Sequence, residues 1–153
     1  MTLLDLLKTD HVNAKALLVD ILDARDTKAR KALFGEFAKE LTAHSRAEEK
    51  VLYARLEKHD EGKDEALEGA VEHQVVDRLI EDLTKEPRTE SDEWTARCTV
   101  LQELLEHHIE EEQSEMFKTA RKLFDGKALE KMGDEFVAEK AKHGIVAKKA
   151  VAA

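Results

Sequence analysis

Four histidines, His11, His44, His73 and His108, fall one to each of four successive helix-forming segments of the chain. Two of them are followed four residues later by glutamate, in His44-Ser45-Arg46-Ala47-Glu48 and His108-Ile109-Glu110-Glu111-Glu112. A spacing of four stacks two side chains on one helix face. Imidazole and carboxylate together suit iron, zinc or copper. If the helices form an antiparallel bundle, His11, His44, Glu48, His73, His108 and Glu112 converge in its interior as a two-metal site. No catalytic residue is expected beyond that site.

The elements that must position these donors are helical. The chain has 153 residues, one Pro and six Gly, and long stretches without a breaker. Helix one reads from about Thr2 to Ala24, with an inner stripe Leu4, Leu7, His11, Ala14, Leu18, Ile21. Helix two reads from about Thr27 to Lys58, with Leu33, Phe37, Leu41, His44, Glu48 and Val51 inward; Gly62 then reads as a stop signal in a loop. Helix three, about Asp64 to Lys85, turns Ala66, Ala70, His73, Val76, Ile80 and Leu83 inward and ends before Pro87. Helix four starts after the N-cap Ser91 and carries Trp94, Cys98, Leu101, Leu105, His108, Glu112, Met116, Ala120 and Leu123. A fifth stretch, about Ala128 to Ala147, packs beside the others and ends in a frayed tail. The expected fold is all-α: an up-down-up-down antiparallel four-helix bundle over residues 1–125, with an additional C-terminal helix and tail over 126–153.

Sharing a face is not enough; the donors must share a level. His11 lies about 15 residues before the first turn and His44 about 18 after it, so their depths differ by only a few ångströms at about 1.5 Å per residue. Glu48 and His73 match similarly across the second turn. His73 and His108 match more loosely across the third. With about three in seven positions facing a core, four histidines all landing on stripes is roughly a one-in-thirty event. Two carboxylates buried among imidazoles without a cation would be costly. His107 sits about 100° off the seam. Glu49, Glu110 and Glu111 read as a solvated acidic face, His59 and His143 as surface groups, and Cys98 as core. Asp77, four residues after His73, either holds an imidazole N–H or belongs to the surface.

Other classes fall away. The formal charge of −9, without a basic cluster, argues against nucleic acid and against anionic membranes. A single cysteine leaves no intrachain disulfide, and the N-terminal residues lack the pattern of a signal peptide. A cytoplasmic protein is the expectation. Ferritin-like sites use Glu-x-x-His pairs, and none of the seven histidines has a glutamate three residues before it. The His-Glu-x-x-His pattern of zinc hydrolases is also missing.

The order His, His-x-x-x-Glu, His, His-x-x-x-Glu resembles the hemerythrin-like HHE cation-binding domains. So does the wording around it: Leu7-Lys8-Thr9-Asp10-His11, Glu48-Glu49-Lys50-Val51-Leu52-Tyr53, Glu72-His73-Gln74, and Glu112-Gln113-Ser114-Glu115-Met116-Phe117. The resemblance covers about residues 3 to 124. It implies a non-heme centre of two iron ions joined by an oxo or hydroxo group. By position, Glu48 and Glu112 would bridge the irons, and His11, His44, His73 and His108 would be terminal ligands. The chain departs from the oxygen-carrying hemerythrins, which resemble it in fold. They have a second histidine where Asp77 stands, and an aspartate five residues after the helix-four histidine instead of Glu112 at four.

That ligand set would give each iron five donors and leave one position open, unless Asp77 fills one. Adjacent open positions on metals about 3.5–4 Å apart suit O2 or H2O2. The expected function is a reaction with O2 or H2O2, catalase-like or peroxidase-like, in an oxidative-stress role. The alternative is a non-enzymatic module that senses or binds O2, NO or iron. Small molecules are the expected partners.

Overall fold

Short polar caps set where the helices begin. Thr2 opens α1 (Leu3–Asp23) with a reciprocal pair: its hydroxyl accepts from the Asp5 N–H, and the Asp5 carboxylate accepts from the Thr2 N–H. Asp26 caps α2 (Thr27–Glu48) by accepting from the Ala29 N–H at 2.8 Å. α3 (Asp60–Lys85) begins without a side-chain cap, but Asp60 and Glu61 place negative charge at its positive end. Ser91 caps α4 (Asp92–Glu111), and Asp125 caps α5 (Gly126–Lys142). The computed structural model describes residues 1–146. Among these there is no strand, and no helix is long and apolar enough to cross a membrane.

Two helices run on beyond those bounds. After Glu48, α2 widens into a π-turn (Glu49–Tyr53) and finishes as Ala54–Leu56. α4 widens at Glu112–Met116 and continues as Phe117–Leu123. Each π-turn thus begins at, or one residue after, the glutamate of a His-x-x-x-Glu pair. Such insertions occur often at functional sites, and the regular helical period of the sequence marks neither.

Some boundaries and one core position differ from expectation. Gly62 does not stop a helix; it lies in the first turn of α3. A Cβ there would sit 2.9 Å from Leu56 Cδ2, so the glycine serves close approach of α3 to the end of the second helical run. α5 ends at Lys142, earlier than Ala147, in a turn through Gly144 at φ 78°. Phe34, rather than Leu33, is the buried apolar residue in the first turns of α2. The expected tail from 147 onward lies outside the described residues.

Each of the four long helices touches the next, and α4 returns to α1; α5 lies across α1 and α2. Buried Arg30 fastens one end. Its guanidinium donates to the carbonyls of Ile21, Leu22 and Ala24, which α1 leaves unpaired at its C-terminus. It also reaches the Thr89 carbonyl and Thr95 hydroxyl, each at 2.8 Å, and lies over the Trp94 ring. The α1–α2 and α3–α4 connections therefore share an end of the molecule. At the other end, Lys122 pairs with Glu61 at 3.0 Å.

The apolar core comes in two parts. One cluster, including Leu18, Phe37, Ile80, Trp94 and Leu101, fills the Arg30 end. The other, including Leu7, Leu52, Leu56, Phe117 and Phe136, fills the opposite end and takes in α5. The histidine and glutamate side chains occupy the layer between these clusters. Full burial of each large apolar side chain contributes about 1.5–3 kcal/mol, and together they hold a polar layer that burial alone would oppose.

Candidate metal centre

His11 comes from α1, His44 and Glu48 from α2, His73 from α3, and His108 with Glu112 from α4 and its π-turn. All six are buried. Ligand atoms of His11, His44, Glu48 and Glu112 lie within 4.8 Å of one another, and so do those of Glu48, His73, His108 and Glu112. The two groups share the two carboxylates and differ in the histidine pair. The ring centroids of His11 and His44 are 5.2 Å apart, those of His73 and His108 4.9 Å.

The outer face of every ring is occupied. His11 Nδ1 donates to Gln113 Oε1 at 2.7 Å, and His44 Nδ1 to Asp10 at 2.8 Å. His73 Nδ1 donates to Glu49 at 2.6 Å, and His108 Nδ1 to Glu72 at 2.9 Å. With the proton on Nδ1, each neutral ring turns the lone pair of Nε2 inward, the tautomer a metal-binding histidine needs.

Those inward nitrogens meet carboxylate oxygens. His11 Nε2 is 3.1 Å from Glu112, His73 Nε2 3.2 Å from Glu48, His108 Nε2 3.3 Å from Glu112, and His44 Nε2 3.8 Å from Glu48. Both Glu48 oxygens, Glu112 Oε1, His11 Nε2 and His108 Nε2 are buried without a hydrogen-bond partner. Acceptor facing acceptor is costly in an apolar interior. Two donors at about 2.1 Å from one ion and at right angles to each other lie about 3.0 Å apart, close to these separations. The side chains fit a pair of cations.

Without a cation, protons carry the compensation. Burial and the neighbouring Glu112 push the Glu48 carboxyl well above the usual carboxylate range. Burial also pulls Glu112 upward, but contacts from His108 and His11 outweigh it and hold Glu112 well below. Burial opposes charge on His108, yet the contact with Glu112 raises that ring to about 9. At His44 burial wins over Asp10, and the ring titrates lower than usual.

Several participants escaped the sequence reading. Glu49, read there as part of a solvated face, holds His73, because the π-turn carries it toward α3. Asp10, Glu72 and Gln113 each stand beside an expected ligand in the chain, and that adjacency is the signal that could have found them. Tyr53 lies five residues beyond Glu48, its ring stacked on His73; its hydroxyl donates to Glu112 Oε2 at 2.9 Å. Gly69 clears room for it, since a Cβ there would sit 2.7 Å from Tyr53 Oη. Lys140 of α5 is buried and donates to both Asp10 oxygens, at 2.7 and 2.8 Å, while Phe136 sets its ring edge-on to His44.

Asp77, His107, His59, His143 and Cys98 belong to neither of the two groups of four buried donors. Asp77 pairs with Arg46 at 2.8 Å, and Arg46 also binds Glu49, so Asp77 stands three contacts from the His73 imidazole. His107 is exposed beside Glu111, His59 precedes α3 against Phe124, and His143 follows α5. Cys98 is buried in the core.

A cavity of about 10 Å³ touches all four histidines and is closed by Leu41, Val76, Leu105 and Ile109. That is room for about one water-sized molecule.

The family model described as the hemerythrin HHE cation binding domain matches residues 2–120. The chain is 29% identical over 143 residues to a protein of Nostoc sp. named DNA nickase. The match covers 93% of this chain, which spans 40% of that relative's length. No solved structure matches the chain.

Proposed function

From the premise that the chain belongs to the hemerythrin HHE cation-binding domain family, we propose that it is a non-heme di-iron protein that binds and reacts with O2 or H2O2. In this reading the bundle is up-down-up-down and antiparallel, the arrangement that four helices joined by short connections favour. Glu48 and Glu112 would be shared by both metals, with His11 and His44 holding one and His73 and His108 the other. The observation that carries the reading is the set of buried, unpartnered Nε2 and carboxylate atoms that face one another across the polar layer. The iron pair, when bound, supplies one-electron redox chemistry toward a small oxidant.

The protein's part is selection and support. The apolar walls Leu41, Val76, Leu105 and Ile109 leave room for a molecule of about one or two heavy atoms and exclude larger substrates. Tyr53 holds the oxygen of Glu112 that faces His108, and its O–H is the protic group nearest the bridging carboxylates. The Nδ1 contacts keep the rings in one tautomer through a change of metal charge. The nicking activity in the relative's name is not carried over: a chain of formal charge −9 has no attraction for a phosphate backbone.

The test is anaerobic loading with Fe2+, removal of free metal, then addition of H2O2 with an oxygen electrode. Two irons per chain, new charge-transfer absorption and one O2 released per two H2O2 consumed are expected for the catalase-like form. Retained iron with no turnover above free iron dismisses that form. Such a result favours the second reading, a sensing or binding module for O2, NO or iron. The observation behind it is the buried link from His44 through Asp10 to Lys140, which joins the centre to the C-terminal helix.

A further inference from the structure

The centre is buried, so a cation needs a way in. A cleft of about 170 Å³ opens between α3 and α4 with its π-turn, lined by Glu65, Glu68, Glu72, Glu111 and Glu115. Its floor is His108 and Glu112. Both floor residues are buried, the Glu112 side chain to 1% exposure, and each keeps a buried atom without a hydrogen-bond partner: His108 Nε2 and Glu112 Oε1. On the wall, Glu65 accepts from the Thr119 hydroxyl with one oxygen, while its other oxygen is buried and unpartnered. At the rim, ligand atoms of Glu72, His107 and Glu111 lie within 4.8 Å of one another.

We infer that this acidic cleft is the loading route for divalent cations, with Glu72, His107 and Glu111 as a transient first stop and the wall carboxylates Glu65, Glu68 and Glu115 drawing the cation toward His108 and Glu112. The inference rests on reading the six buried side chains as a metal centre. Carboxylates converging on a low-dielectric pocket focus the field and raise the local concentration of a dication. Partial exposure makes the rim weak by design: a cation held there by a few solvated ligands exchanges readily, whereas one at the floor is held by buried donors. Another approach to the centre lies between α1, α2 and α5 and is lined by Leu17, Phe37, Leu41, Glu40, and Asp10 with the ammonium of Lys140. Lys140 donates to both Asp10 oxygens and cancels that charge. The α3–α4 cleft, whose lining holds carboxylates and neither Lys nor Arg, therefore attracts a dication more strongly.

The experiment follows Co2+ uptake by stopped-flow visible absorbance in the metal-free full chain, with retained metal measured after desalting. Glu65→Gln, Glu68→Gln and Glu115→Gln are combined in one variant. A control with the same change of net charge combines Glu36→Gln, Glu103→Gln and Glu130→Gln, all at exposed positions elsewhere. The cleft variant is expected to load at least fivefold more slowly yet reach the same two Co2+ per chain, and its rate to depend less steeply on ionic strength. Glu68→Lys, a single reversal at an exposed position, should slow loading further than Glu68→Gln. Uptake at the unaltered rate by the cleft variant, or equal slowing in the control, overturns the route and leaves the centre standing. An unaltered protein that retains no Co2+ overturns the centre itself, and the route with it.

Discussion

The two halves of the centre offer the same donors in different surroundings. In the His11–His44 half the rings lean on Gln113, which is neutral, and on Asp10, whose charge is met by the buried ammonium of Lys140. In the His73–His108 half they lean on Glu49 and Glu72, with one guanidinium, Arg46, shared between Glu49 and Asp77. Tyr53 stacks on this second half, and the acidic cleft opens on it. A carboxylate behind an imidazole makes the ring a stronger base and a better partner for a highly charged metal. Donor identity alone would make the two halves alike; the residues behind the donors make them different.

The largest effect should come from removing what both halves share. Glu112→Ala is expected to abolish retention of both metals, whereas His44→Ala and His108→Ala should each leave about one per chain by metal analysis. Loss of one metal only from Glu112→Ala would break the idea of a common carboxylate bridge.

A second variant strikes one half. Lys140→Met leaves the Asp10 carboxylate buried without its cation, at a cost of about 3 kcal/mol in unfolding free energy. It should weaken metal retention in the His11–His44 half alone, with Lys140→Arg restoring part of it. Equal loss from both halves would show that α5 acts on the whole bundle instead.

The halves should also answer pH differently. In the metal-free protein the His108 value of about 9 lies above the ordinary 6.5, so its stabilisation is complete below about 6.5 and is lost as pH rises through 9. Cation binding needs that ring unprotonated, so the stabilisation it brings grows over the same window. The increase in Tm on adding Co2+ should therefore widen from pH 6.5 to 9. His108→Ala should flatten that trend and His44→Ala should keep it, because burial lowers His44 instead.

The smallest effect concerns one hydroxyl. Tyr53→Phe removes its hydrogen bond to Glu112 and should cost about 1 kcal/mol. It should also shift the absorption of the loaded centre. Gly69→Ala should reproduce the spectral shift by displacing the ring. A spectrum unmoved by either change would remove Tyr53 from the centre's electronics.

The ligand stripe was legible because period and chemistry coincide: an imidazole in an apolar seam stands out, and His-x-x-x-Glu fits one turn of helix. The residues behind the rings were not. Asp10, Glu49, Glu72 and Gln113 stand one position from a ligand, about 100° round the helix, where a polar residue reads as solvated. They reach a ring only because a neighbouring helix packs there. The π-turns insert a single residue and carry no compositional mark, so Glu49 and Tyr53 could not be placed by a regular period. Lys140 resembles any surface lysine until α5 is laid over Asp10. Gly62 misled because glycine allows close contact as well as it ends helices. The Arg30 clamp was invisible for a related reason: its partners are mostly main-chain carbonyls, which no side-chain pattern reports.

The contacts behind the imidazoles have a direction. α1 supports the ring of α2 through Asp10, α2 that of α3 through Glu49, α3 that of α4 through Glu72, and α4 that of α1 through Gln113. The circuit closes on itself in one rotational sense. Sliding any one helix along its axis therefore disturbs two joints at once, the one it lends and the one it borrows. Vertical alignment becomes a property of the whole circle, and each strut depends on the three others being in step.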